Sequence, residues 1–334
     1  MIRSIEGTAS RLAAVLSAAL AVCLLAGAAW ALEPVRVGVL KFGTVNWELD
    51  AMKNAGFDHA AGVDVEIVPF AGEDASNVAL QAGTVDVIVS DWLWVSRLRA
   101  DGADFTFVPY SSSVGAIMVP QGSALRTLAD LRGRKLGVAG GPLDKSWLLI
   151  QGLARRDHGL DLAAENDVVY GAAPLLAEKA RQGELEAVLN FWHHNARLEA
   201  NGFRTLVGAE DAAAALGASG PVSALGYVFS EKWAQARPLA ARGFVQASRA
   251  TKALLSSSDA EWERLAPLVR ADGAELLALR DRYRDGIPAR PAAEDEADAA
   301  RLHAVLAELG GEKLVGRSPV MAPGTYWPGL ADGF

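Results

Sequence analysis

The feature that most limits what this chain can fold into is a repeated alternation of strand-like and helix-like segments. Val35–Leu40, "VRVGVL", reads as a first strand. "NWELDAMKNAG" follows with helical spacing and stops at Gly56. Val63–Phe70, "VDVEIVPF", alternates apolar and polar. "ASNVALQAG" reads as a short helix closed by Gly83, and "VDVIVS" follows at once. Strand–helix–strand units of this length predict a mainly parallel sheet with helices covering its faces. A second series starts at "TLADLRGRKLGVAGG" and runs through "DKSWLLIQGLARRDHG", "NDVVYG", "APLLAEKARQG", "LEAVLNFW" and "HNARLEANG" to "FRTLVG".

Two extended runs interrupt the alternation. "FTFVPYSSSVGAIMVP" lies between the two series, and "SALGYVFSEKW" follows the second. Their shared layout of serine, glycine and an apolar run predicts two connections between lobes. The chain crosses out near Ser113–Val119 and returns near Ser223–Phe229, which makes a hinge. Lobe 1 is then 32–117 with 224–334, and lobe 2 is 118–223. The alternative is that both runs are ordinary strands of one sheet. From Glu231 to Leu309 the texture is helical, with breaks at Pro267, Gly273 and "DGIPARPAAE", and this tail is expected against lobe 1. The ending "GTYWPGLADGF" has turn chemistry and reads as a loosely held cover. No repeat of fixed period is evident.

Arg3 and Arg11 precede the apolar run Leu12–Ala29, which ends at Ala29-Trp30-Ala31. That order predicts a secretory signal peptide over residues 1–31, cleaved before Leu32. An uncleaved anchor is the alternative. The single cysteine, Cys23, lies inside this run and reads as bulk hydrophobe, with a lipidated cysteine as the lesser reading. The expected mature chain therefore has no disulfide and is located in the periplasm. The formal net charge of the whole chain is −8. Without a basic stripe, such a chain is not expected to bind nucleic acid.

Parallel α/β lobes present functional atoms at the carboxyl ends of their strands. That rule selects Phe42, Gly43, Thr44 and Trp47 after the first strand, and Ser90, Asp91 and Trp92 after the third. Ser112 and Ser113 precede the first crossing. In the second lobe it selects Gly141, Asp144, Lys145 and Trp147, then Asn190, Trp192 and His193. Five of the nine tryptophans, counting Trp94, fall at or beside these tips. Trp92 is read toward the cleft and Trp94 toward the core. Each tryptophan has packing as its plainer role. Asp91 and Asp144 each read as either ligand contact or helix N-cap. "GGPLDKSW" lacks the Gly-Lys-Ser/Thr ending of a phosphate-binding P-loop. The adjacent His193 and His194 do not have the spacing of a zinc site, and no metal or other cofactor is expected. Asp86 reads as structural.

"LQAGTVDVIVSDWLW" and "TLADLRGRKLGVAGG" resemble segments of ABC-importer solute-binding proteins of the nitrate/taurine/sulfonate type. The resemblance covers roughly Val35 to Trp233 and extends to relatives that bind thiamine-type pyrimidines. It implies a type II periplasmic binding protein fold: two lobes, each a mainly parallel sheet flanked by helices, joined by two hinge crossings. It implies a monomer that captures a small organic solute between the lobes and delivers it to a membrane permease, without catalysis. Carried over by position, the ligand loops are Phe42–Trp47, Ser90–Trp92, Ser111–Ser113, Gly140–Trp147 and Asn190–His193. Where oxyanion binders supply basic residues, this chain offers Asp91 and Asp144 with Lys41 and Lys145. The alternatives are an enzyme or sensor on the same fold, or a protein that binds a metal ion or metal complex.

Overall fold

The computed structural model describes residues 32–331. The signal peptide expected over residues 1–31, Cys23 included, lies outside the described residues. No helix among the described residues is long and apolar enough to cross a membrane.

Among the described residues, ten strands form two five-stranded sheets. The first holds β1 (Glu33–Leu40), β2 (Val63–Phe70), β3 (Val87–Ser90), β4 (Phe105–Ser111) and β10 (Leu225–Ser230), in the order β2-β1-β3-β10-β4. The second holds β5 (Ala116–Pro120), β6 (Lys135–Ala139), β7 (Asp167–Gly171), β8 (Ala187–Asn190) and β9 (Phe203–Gly208), in the order β7-β6-β8-β5-β9. In each sheet four strands point one way. The fifth, β10 or β5, is the strand that arrives from the other lobe, and it pairs antiparallel on both sides. The two long extended runs of the sequence thus supply the reversed strands, each one place in from a sheet edge.

Between the strands lie α1 (Val45–Ala55), α2 (Phe57–Ala60), α3 (Glu73–Gln81) and α4 (Trp92–Ala100) in the first lobe. The second lobe carries α5 (Lys145–His158), α6 (Ala173–Arg181), α7 (Trp192–Ala200) and α8 (Ala209–Ala215). The tail forms α9 (Glu231–Ala236), α10 (Pro238–Ser257), α11 (Asp259–Val269), α12 (Gly273–Asp285), α13 (Ala292–Gly310) and α14 (Glu312–Val315).

The lobes repeat one another. Helix α3, strand β3 and helix α4 each return 100 residues later as α6, β8 and α7, with equal lengths. Gly83 and Gly183 hold the same left-handed turn, at φ 69° and 75°, where a side chain would be strained. The acidic residue before each strand does the same task. Asp86 accepts from the Arg36 amide (2.8 Å) in β1, and Glu186 accepts from the Lys135 amide (3.0 Å) in β6. Trp92 and Trp192 open the two following helices. This internal repeat is absent from the expectation above, because little beyond these residues is shared between the copies.

Helix α10 packs on α1, β1 and β2 of the first lobe. The later tail helices reach further than expected. α12 lies along α7 of the second lobe, and α13 packs on α5 there through Leu309 against Gly152. The other side of α13 meets the first lobe, where His303 approaches Ser96 (3.4 Å) and the Trp92 ring. One continuous apolar core therefore runs through both lobes, with Ala299, Leu302 and Leu306 of α13 in it.

Candidate functional site

Both sheets turn the carboxyl ends of their parallel strands toward one cleft of about 1670 Å³. The crossing at 112–115 sits beside it. There, a Cβ on Gly115 would come within 2.9 Å of the Asn190 carbonyl, so the crossing passes the β8 tip only as bare backbone. The amide of Ser112 donates to the Gly286 carbonyl (2.9 Å), and the Ser113 hydroxyl to the Arg282 carbonyl (3.3 Å). The return crossing is held by α13. Asp298 accepts from the Ser219 hydroxyl (2.8 Å), and Asp295 from the Ser223 amide (2.8 Å).

Most of the residues selected from the sequence line this cleft. From the first lobe come Phe42, Gly43 and Thr44 at the β1 tip, and Ser90, Asp91 and Trp92 at the β3 tip. Ser112 and Ser113 line it from the crossing. The second lobe brings Gly141, Asp144 and Lys145 after β6, with Trp192 and His193 after β8.

Three residues are elsewhere. Trp147 is core, because the first turn of α5 points it inward. Trp47 is buried beside Trp192 and Trp262, with ring centroids 6.0 and 5.9 Å away. Asn190 is buried too, and its amide ties the β8 tip to the Ala173 carbonyl (2.8 Å) at the start of α6. The strand-tip rule finds the loop but not the direction in which each side chain leaves it. Trp92 is only 4% exposed, so the indole shows the cleft an edge. Trp94 stacks on Phe105.

Both aspartates are helix caps. Asp91 accepts from the Trp94 amide (2.8 Å), and Asp144 from the Trp147 amide (3.0 Å). Asp91 does more: its second oxygen takes the Lys145 ammonium at 2.9 Å, and that ammonium belongs to the opposite lobe. The pair keeps 21% and 37% of its side-chain surface open to water. Burial works against both charges, yet each partner outweighs it. Asp91 lies below the usual carboxylate range and Lys145 above the usual lysine range. Asp144 has no such cation in contact, and burial pushes its carboxyl up. Burial, with His194 and Arg197 nearby, takes His193 down to about 3, so it is neutral at ordinary pH.

Under the cleft floor lies a polar cluster that the sequence reading missed. Glu48 of α1 is fully buried. It accepts from the hydroxyls of Tyr227 (2.8 Å), Ser248 (2.6 Å) and Tyr283 (3.1 Å) and pairs with Lys252 of α10. The Lys252 ammonium also lies 4.2 Å from the centre of the Tyr110 ring. Tyr110, 3% exposed, reaches the cleft, and its hydroxyl makes no well-aligned hydrogen bond although Thr44 and Tyr283 adjoin it. These members come from five elements, and no local pattern joins them in the sequence. The α13 residues Leu302 and Leu306 also line the cleft unannounced, since a helix wedged beside the hinge is not a strand tip. Tyr110 and the 172–174 and 209–211 tips follow from the strand-tip rule applied to β4, β7 and β9.

Among the described residues, one cluster has three potential metal ligands: Asp58, His59 and Asp64. It is not part of the cleft, and Lys53 pairs with both carboxylates, at 2.6 and 2.9 Å.

Residues 51–259, more than half of the chain, match the family described as NMT1/THI5 like. The chain belongs to the NMT1/THI5-like family. Solved structures show the fold of this family member. It is similar to the periplasmic aliphatic sulphonate binding protein SsuA from Escherichia coli, at 19% identity and TM-score 0.67, covering 89% of this chain and 98% of that one. It is similar to the alkanesulfonate-binding protein SsuA from Xanthomonas axonopodis pv. citri bound to MOPS, at 19% identity and TM-score 0.64 over 88% and 98%. A zinc-bound ligand binding component of an ABC-type import system from Staphylococcus aureus shares 13% identity at TM-score 0.60, over 89% and 97%. The fold is that of the periplasmic binding proteins. Among curated proteins, none matches this NMT1/THI5-like chain in sequence.

Proposed function

We propose that this protein is the exported solute-binding component of an ABC importer. It takes a small organic solute between its lobes in the periplasm and delivers it to a membrane permease. The observation that carries this reading is the cleft itself. Strand tips from two repeated lobes face each other across it, and Asp91 and Lys145 meet from opposite sides. Membership of the NMT1/THI5-like family and likeness in fold to sulfonate-binding proteins support it. In the same reading the lobes divide at the crossings, residues 32–117 with 224–334 forming one and 118–223 the other, and the signal peptide is removed before Leu32.

Catalysis gains little from the geometry. Asp91 and Asp144 are engaged as caps, and His193 stays unprotonated, which leaves no acid–base pair aimed at a common point.

The test is mass spectrometry of the solute released when the purified protein is denatured, followed by titration of that solute against intrinsic tryptophan fluorescence. Trp192 lines the cleft and touches Trp47, so occupation is expected to change the emission. A protein that releases no solute, and whose emission and melting temperature no candidate solute moves, would sink the reading.

A further inference from the structure

The width of the cleft is measured with the lobes already tied together. Asp91 and Lys145 bridge it at 2.9 Å. Trp47 and Trp192 touch across it, and Arg197–Glu275 (2.8 Å) and Arg282–Glu199 (2.6 Å) join α7 to α12. This bridged arrangement still leaves an open cleft of about 1670 Å³, beyond the roughly 300–1,000 Å³ of common small-molecule sites.

The lining is uneven in a way that describes an occupant. Three of the large exposed apolar side chains line this one cleft, and apolar side chains gathered at one site mark a binding surface. Phe42, 81% exposed, comes from the β1 tip; Leu143 follows β6, and Phe191 follows β8. Both lobes therefore contribute. At the floor the chemistry is the reverse. The Tyr110 hydroxyl is buried without a well-aligned hydrogen bond, beside the hydroxyls of Thr44 and Tyr283. The start of α1 adds little to this, because the Asn46 and Trp47 amides already donate to the Gly43 and Thr44 carbonyls (3.2 and 3.1 Å). Charge does not single out a strong anion. The lining lysines Lys41, Lys145 and Lys313 face Glu73, Asp91, Asp144, Glu210 and Asp211.

We propose that the cleft selects a bulky amphiphile. A flat aromatic or branched apolar body lies against Phe42, Leu143 and Phe191, and a head with a hydrogen-bond acceptor meets Tyr110. This assignment rests on the solute-binding role and adds the class of solute. The Asp91–Lys145 pair is spent on holding the lobes together, so selection falls on size and surface rather than on head charge.

Calorimetric titration of the mature chain with ethanesulfonate, benzenesulfonate and naphthalenesulfonate varies the body and keeps the head. Naphthalenesulfonate is expected to bind at least about tenfold more tightly than ethanesulfonate, from the apolar area it buries. Phe42→Ala and Phe191→Ala are each expected to shrink that ratio severalfold. Tyr110→Phe keeps the ring over Lys252 and removes only the hydroxyl. It is expected to fold normally and to weaken naphthalenesulfonate and its neutral carboxamide analogue alike, by about tenfold. Affinity that does not rise with body size overturns the proposal, as does a size advantage that survives both phenylalanine replacements. Unchanged binding by Tyr110→Phe overturns the head assignment. If a small hydrophilic solute co-purifies and binds while the bulky probes do not, the solute-binding role stands and this proposal falls. If nothing co-purifies and nothing binds, both fall.

Discussion

Asp91 shows how much one residue can carry at a strand tip. One carboxylate oxygen caps α4 and the other crosses the cleft to Lys145. Cap and cleft contact stood as alternatives in the sequence. They are both present because the two oxygens point apart, and the second partner comes from 54 residues away in the other lobe. The two roles can be separated. Asparagine is as good a cap as aspartate, so Asp91→Asn keeps the helix start and loses only the charge pair, worth about 1 kcal/mol while partly open to water. Asp91→Ala loses the cap as well and is expected to cost a further 0.5–2 kcal/mol or so in urea unfolding. Equal costs for the two variants would show that the cap contributes nothing. Trp47, Trp147 and Asn190 teach the opposite lesson. Their loops were legible, but a side chain one step along a helix start turns by about 100°, and that decides between cleft and core.

At the scale of elements, the strands and most helices were legible because their period follows from burial: two for a strand with one covered face, 3.6 for a helix on a sheet. Gly56, Gly83 and Gly159 mark helix ends for the same reason, as positions of left-handed backbone. The repeat of α3–β3–α4 as α6–β8–α7 was not legible, since the copies share few residues beyond Gly83 with Gly183, Trp92 with Trp192, and Arg97-Leu98 with Arg197-Leu198. The Glu48 cluster was not legible either. It joins α1, β10, α10 and α12, and its members are separated by up to 235 residues. Burial pushes the Lys252 ammonium down, and Glu48 offsets that by pairing with it. Glu48→Ala would leave this ammonium buried without its counter-ion, at a cost of roughly 3–5 kcal/mol. Replacing both partners, as Glu48→Leu with Lys252→Met, is expected to recover most of that loss, because it leaves no lone buried charge. Chemical denaturation of the three proteins decides it. A double variant no more stable than Glu48→Ala would show that the hydroxyls around Glu48, rather than the ion pair, set the energy.

Across the whole molecule, the two-lobe plan was visible in the texture of the sequence, where an extended run twice breaks the alternation. What the tail does was not. Its helices read as amphipathic, and amphipathicity gives the buried face without naming the surface it meets. In the structure α12 grips α7 of the far lobe through Arg197 and Arg282. Arg197 also donates to the Val269 carbonyl at 2.8 Å, which closes the end of α11 onto the same helix. Replacing both arginines by alanine is expected to raise the radius of gyration in small-angle scattering and to leave the melting temperature within a few degrees, because these pairs are partly exposed. An unchanged scattering profile would mean that α13 and the crossings alone fix the spacing of the lobes.

Helix α13 has a mechanical consequence. Two peptide crossings side by side can both flex and wring, so a hinge built from them alone has no single axis. A nineteen-residue rod fastened at His303 to one lobe and at Leu309 to the other, with Asp295 and Asp298 holding the return crossing, resists the wringing. A rod so fastened favours bending over twisting, like a book turning on its spine. Any partner that senses how far the lobes have parted then has chiefly one angle to read.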